Sequence, residues 1–237
     1  MQRVWIELDE VTSTMDVIRD YVRDGYPLGT VVLASAQTSG RGRRGAHWAN
    51  AGTACLMSFL LPAGDALPLE AVPLLAGVAA FDAAAAVCGH TGLSIKFPND
   101  VLLNGDKVAG VLVEHWDAFG APVYVVGIGI NVADAPDLQS GYVAGALVPA
   151  GSAASSRSVA DHVMTTIDGF LETAAMTPAL VDAWNARHCG GYWRHHPSFG
   201  KVLIVRLAGL SHVVVLLPDG TERSVSAASL MLDVAHW

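Results

Sequence analysis

KFPNDVLLNGDKVAGVLVE, Lys96 to Glu114, sets two apolar runs on either side of Asn104-Gly105. Asn-Gly between such runs is the strongest short hairpin signal, because both turn positions need positive φ. The stretch predicts a strand over Val101–Leu103 paired with one over Lys107–His115, after a short strand over Leu93–Phe97. At period two, Lys107 shares a face with Ala109, Val111 and Val113 and starts an otherwise apolar stripe. Gly110, on the opposite face, marks a close approach of backbone or ligand.

Outward from this hairpin, strands are expected at Val4–Leu8, Val31–Ala36, Thr53–Leu61 and Val123–Val132. A helix over Met15–Asp24, closed by Gly25, lies between the first two. Ala71–Cys88 is the most apolar long stretch, and Pro73 and Asp82 within it make it a core helix rather than a membrane span. Ala133–Ser156 reads as loop. Helices over Val159–Ala174 and Pro178–His188 follow, the second with Thr177 as cap and Pro178 in its first turn. From Pro197 the pattern changes to short strands around a Pro218-Asp219-Gly220 turn, with a boundary between His188 and Gly200. The expected organisation is a main domain over 1–190 and a small β module over 197–237.

The chain has 237 residues, 52% of them hydrophobic, which is enough for a buried core without staples. Fourteen basic against 22 acidic residues give a net charge of -8. That balance argues against general affinity for nucleic acid or anionic membranes, so phosphates must meet a local basic patch. Cys55, Cys88 and Cys189 are widely spaced and read as reduced thiols. The first residues lack the features of a secretory signal, and the expected location is cytoplasmic.

The local basic patch is GRGRRG, Gly40 to Gly45, between Gln37-Thr38-Ser39 and His47-Trp48. Its glycines let backbone approach an anion, and Arg41, Arg43 and Arg44 can bind carboxylate or phosphate in bidentate fashion. A solvated surface loop has the same composition. Lys107 is either a hairpin-end lysine reaching water or a preorganised charge where anions meet. Asn99 and Asp100, after Pro98, form a simple turn or hold a magnesium-bound phosphate. Within VYVVGIGINV, Gly127, Gly129 and Asn131 share a nearly bare face. A flat ligand or a closely packed element fits there. Ser13 and Asp16 fit a capping box, and the same helix start also suits a polar ligand group.

STMD, QTSGRGRRG with the Trp after it, KFPNDVLLNGDKVAGVLVE and GIGINV stand in the order and spacing of the biotin protein ligase family, which the chain resembles strongly over residues 1–132 and weakly beyond. The resemblance implies an α+β fold: a mixed central sheet with flanking helices, of the class II synthetase-like biotin–lipoate ligase type, plus a C-terminal SH3-like β module. It implies that biotin and ATP, with Mg²⁺, form biotinyl-5'-AMP, and that biotin then passes to a lysine of a biotin carboxyl carrier domain such as that of acetyl-CoA carboxylase. Lys107 and Arg43 would be the catalytic residues. Ser13, Thr14, Met15, Gln37, Gly40, Arg41, Gly42, Arg43 and Lys107 would contact biotin or its adenylate. Asn99, Asp100 and Asn131 would face the nucleotide. No metal ligand is assigned beyond Asp100, and neither nucleic acid nor membrane is an expected partner. Homodimer formation is compatible with the family.

Three departures from the family pattern stand out. Phe97 replaces a Trp, Met15 replaces an Asn, and the C-terminal module lacks a Gly-Ile-Asp stretch and reads as one hairpin short. No helix-turn-helix is expected before Val4. The alternatives are a lipoate or octanoate ligase, whose Arg-Arg-x-Ser-Gly-Gly-Gly signature is absent, and a non-catalytic biotin-binding module.

Overall fold

The computed structural model describes residues 3–118, 120–136 and 143–231, and the backbone alone at Arg44 and Met231. Part of the expected 133–156 loop, the end of the C-terminal module and the Arg44 side chain therefore lie outside the described residues.

Seven strands form one sheet: β1 (Val4–Val11), β2 (Thr30–Gln37), β3 (Thr53–Pro62), β4 (Leu93–Lys96), β5 (Asp100–Leu103), β6 (Asp106–Ala118) and β7 (Ala121–Ala133). Their spatial order is β1-β2-β3-β7-β6-β5-β4. β1 and β2 are parallel and every other pair is antiparallel, so the sheet is mixed as expected. The hairpin turn takes the anticipated form, with φ of 53° at Asn104 and 95° at Gly105.

The two faces of β7 divide the protein. Tyr124, Val126, Ile128 and Ile130 join the main core under α2 (Ala71–Cys88), α3 (Ser156–Leu171) and α4 (Met176–Arg187). The small and apolar residues of α2 let it pack closely, and it is buried along most of its length. It is long and apolar enough to cross a membrane by composition alone, but here it is a core helix. On the other face, Val32, Leu60 and Val125 pack beneath Met15, Ile18 and Val22 of α1 (Thr14–Arg23). Beyond Val125 this face becomes Gly127 and Gly129, and the side-chain layer stops.

Several local expectations change. Ser13 has extended N-cap geometry but makes no side-chain cap bond, so the capping box is absent. At α4 the cap position is Ala175, and Thr177 lies inside the first turn, because the helix begins before Pro178. The segment read as loop after β7 is partly extended: Val148 N–H donates to Val132 O at 3.0 Å and Gly145 N–H to Lys107 O at 3.0 Å. A second sheet, in the order β11-β10-β9-β8, joins β8 (Trp193–His196), β9 (Gly200–Leu207), β10 (His212–Leu216) and β11 (Glu222–Ser226), with α5 (Ala227–Met231) after it. It begins ahead of Pro197 because β8 already pairs with β9.

Candidate active site

Strict alternation would put Lys107 on the core face with Ala109. The ladder shows otherwise: Val101 pairs with Ala109 but Leu102 pairs with Lys107, leaving Val108 as a bulged residue. The extra residue reverses the phase. Val108 and Ala109 are both buried, and Lys107 moves to the face of Gly110, where a Cβ added to the glycine would lie 3.1 Å from Nζ. There Lys107 Nζ pairs with Asp100 Oδ1 at 2.7 Å.

The Asp100 turn is held from three sides. Trp184 Nε1 donates to Pro98 O at 2.9 Å, and Arg194 Nη2 donates to Phe97 O at 2.8 Å. Gly77 of α2 supplies the third contact: a Cβ there would lie 3.1 Å from Asn99 Cα. Phe97 meets Trp184 edge to face at 6.0 Å, so the aromatic position keeps its packing role.

At the start of α1, Gln37 Oε1 accepts from the Thr14 N–H at 2.8 Å, and Thr14 Oγ1 lies 2.8 Å from Ser58 Oγ. Ser13 Oγ is buried without a partner. A buried, unsatisfied hydroxyl at a cleft wall suits a polar ligand group.

The Gly-Arg segment is more ordered than a bare loop. Trp48 N–H donates to Gly40 O at 2.9 Å and Gly42 N–H to Ala46 O at 2.7 Å, around a single 3-10 turn over Arg43–Gly45. This closure seats Trp48 on the glycine face: a Cβ at Gly129 would lie 2.4 Å from Trp48 Cε2, and one at Gly127 would lie 2.7 Å from Met15 Sδ. The flat group on this face is thus the protein's own indole, with Lys107 Nζ 5.7 Å from its ring centre.

These pieces enclose a cleft of about 530 Å³. It brings together Ser13, Thr14, Met15, Gln37, Arg41, Gly42, Arg43, Asp100 and Lys107 among the expected residues. Three others stand apart. Gly40 lines a neighbouring cavity, Asn99 is buried with Nδ2 3.5 Å from Val111 O, and Asn131 Nδ2 donates to Gly145 O at 3.0 Å. Arg194, which no motif pointed to, also lines the cleft, with its Nε buried and unpartnered. It comes from β8 of the second sheet, and only tertiary structure reveals it. Among the described residues, no group of three or more His, Cys, Asp or Glu side chains is arranged to hold a metal ion.

The chain is 47% identical over 109 residues to a biotin--[acetyl-CoA-carboxylase] ligase of Paracoccus denitrificans, a match covering 45% of each chain. It is 32% identical over 228 residues to the enzyme of that name from Mycobacterium tuberculosis, covering 91% of this chain and 80% of the relative. The first match thus spans less than half of its relative. Biotin protein ligase from Aquifex aeolicus, solved with biotin and ATP, superposes with a TM-score of 0.77 at 24% identity over 97% of both chains, which establishes the fold. The Biotin/lipoate A/B protein ligase profile matches residues 7–132, the span of α1, the Gly-Arg segment, the Asp100–Lys107 hairpin and the glycine face, and the chain belongs to that family.

Proposed function

We propose that this chain activates biotin with ATP to biotinyl-5'-AMP and transfers biotin to a lysine of a carrier domain, such as that of acetyl-CoA carboxylase, in the cytoplasm. The observation that carries the reading is the placement of Lys107: a bulge aims it into a cleft that also contains Arg43, Arg194 and a buried, unpartnered hydroxyl. In the first step a biotin carboxylate oxygen bonds to the α-phosphorus of ATP and the bond to pyrophosphate breaks. Both reactants are anions, so fixed cations lower the barrier by neutralising charge and setting the line of attack. Lys107 is the cation at the reacting oxygens, Arg43 the second, and the ion pair with the Asp100 carboxylate holds the Lys107 ammonium in place. In the second step the carrier lysine bonds to the acyl carbon and AMP leaves.

Mg²⁺ fits this site as a companion of ATP, because Asp100, the single carboxylate lining the cleft among the described residues, suits an ion held chiefly by phosphates. When bound it offsets phosphate charge. The Ser13, Thr14 and Gln37 groups bind the polar end of biotin, and Trp48 with Met15 excludes water from the anhydride.

Pyrophosphate release tests the reading. Biotin is expected to trigger it in the presence of ATP and Mg²⁺, followed by label transfer to a biotin carrier domain. Turnover with lipoate alone would overturn the biotin assignment, and tight biotin binding without pyrophosphate release would leave a binding module.

A further inference from the structure

Arg41 was expected to face a ligand anion, yet its guanidinium is already engaged. Nη1 lies 2.8 Å from Asp16 Oδ1 of α1, and Nη2 lies 3.8 Å from Glu114 Oε2 of β6. Arg19 meets the same two carboxylates: Nη1 is 3.5 Å from Asp16 Oδ1, and Nη2 pairs with Glu114 Oε2. Two guanidiniums and two carboxylates form a closed, formally neutral set. It ties the Gly-Arg segment to a helix and a strand that belong to the rigid core. A second cavity of about 380 Å³ lies beside this set, lined by Ser39, Gly40, Arg41, His47, Leu112 and Glu114, so charge rather than dense apolar packing closes that side. On the opposite side the segment is seated by Trp48 on Gly129.

We propose that Asp16 and Glu114, bridged by Arg19, are positioning residues that hold the 40–48 segment over the cleft through Arg41. Their role is to set how long the reactive adenylate stays enclosed. This inference rests on the adenylate-forming reading given above. A partly exposed ion pair contributes modestly, and its loss changes an opening equilibrium by roughly two- to fivefold. The expected phenotype is therefore leakage rather than loss of chemistry.

The test uses the full chain with Glu114→Gln, Asp16→Asn and Arg41→Gln. Two rates are read: trypsin cleavage after Arg43 and Arg44, and escape of biotinyl-adenylate into solution after a single turnover. Each variant is expected to raise both rates roughly two- to fivefold, with adenylate formation by Glu114→Gln and Asp16→Asn within about twofold of the parent. Glu114→Gln placed on Arg41→Gln should add nothing further, since both remove one linkage. Rising KCl should speed cleavage of the parent in this segment more than elsewhere, a readout that survives if a variant fails to fold. Unchanged escape and cleavage, or independent effects in the double variant, would overturn the latch. A parent protein that releases no pyrophosphate with biotin would defeat the functional reading, while the cleavage measurements would still judge the latch.

Discussion

Lys107 Nζ and Asp100 Oδ1 stand 2.7 Å apart, on strands joined by the Asn104-Gly105 turn. The pair sits at the edge of the cleft, with both side chains about one-quarter exposed, so it contributes little to folding.

Lys107→Ala is expected to lower the rate of biotin-dependent pyrophosphate release by about 100-fold or more, the size of losing one preorganised charge at a reacting oxygen. Stability in urea should fall by no more than about 1 kcal/mol. A mutant that unfolds, or that keeps its rate, would remove Lys107 from the chemistry.

Gly129→Ala places a methyl group 2.4 Å from Trp48 Cε2, and backbone holds the glycine in the centre of the sheet. Trp48 must leave its seat. Biotin affinity should fall, and tryptophan emission should shift to the red as the indole meets water. Gly129→Ala should cost about 1–3 kcal/mol in the parent but far less in a Trp48→Ala chain, where the clash is gone, without restoring binding.

Arg194→Ala separates the two clamps on the Asp100 turn. Arg194 lines the cleft while Trp184 is buried, so loss of the guanidinium is expected to raise KM for ATP by about tenfold. Trp184→Phe removes the bond to Pro98 O and part of a buried ring, and is expected to lower stability by about 1–3 kcal/mol with KM unchanged. Equal effects on KM would show that Arg194 acts only through the turn.

Burial pushes the Cys55 thiol from 9.0 up to about 12. The unfolded thiol ionises near pH 9 and the folded one does not, so unfolding releases a proton between these values. Stability should be intact below pH 9 and should then fall by about 1.4 kcal/mol per pH unit from this site. Urea midpoints at several alkaline pH values measure the slope, which Cys55→Ala should make shallower. Burial also raises Cys88 and Cys189, which leaves a smaller slope in that variant.

The strands and helices were legible because their signals are local. Asn104-Gly105 fixed one hairpin, and alternation in Val123–Val132 separated a core face from a glycine face. The orientation of Lys107 was not legible, since a bulge at Val108 is set by pairing with β5 rather than by the composition of β6. The cap at Ser13 failed for a similar reason: tertiary partners took over, with Gln37 reaching the Thr14 N–H. Arg194 had no motif around it, and its place in the cleft depends on how the second sheet meets Phe97. Asn131 was legible as the polar group ending the glycine face, but not that the segment after β7 supplies Gly145 O to its Nδ2 and leaves Oδ1 buried without a partner.

The bulge at Val108 makes strand register, as well as residue identity, a condition for Lys107 to face the cleft. A hairpin of the same length paired without the bulge would retain lysine, aspartate and every glycine, yet would turn the ammonium group into the apolar layer beneath α2. Substitutions that keep Lys107 in place therefore leave untouched the pairing of β5 with β6, which decides where its ammonium group points.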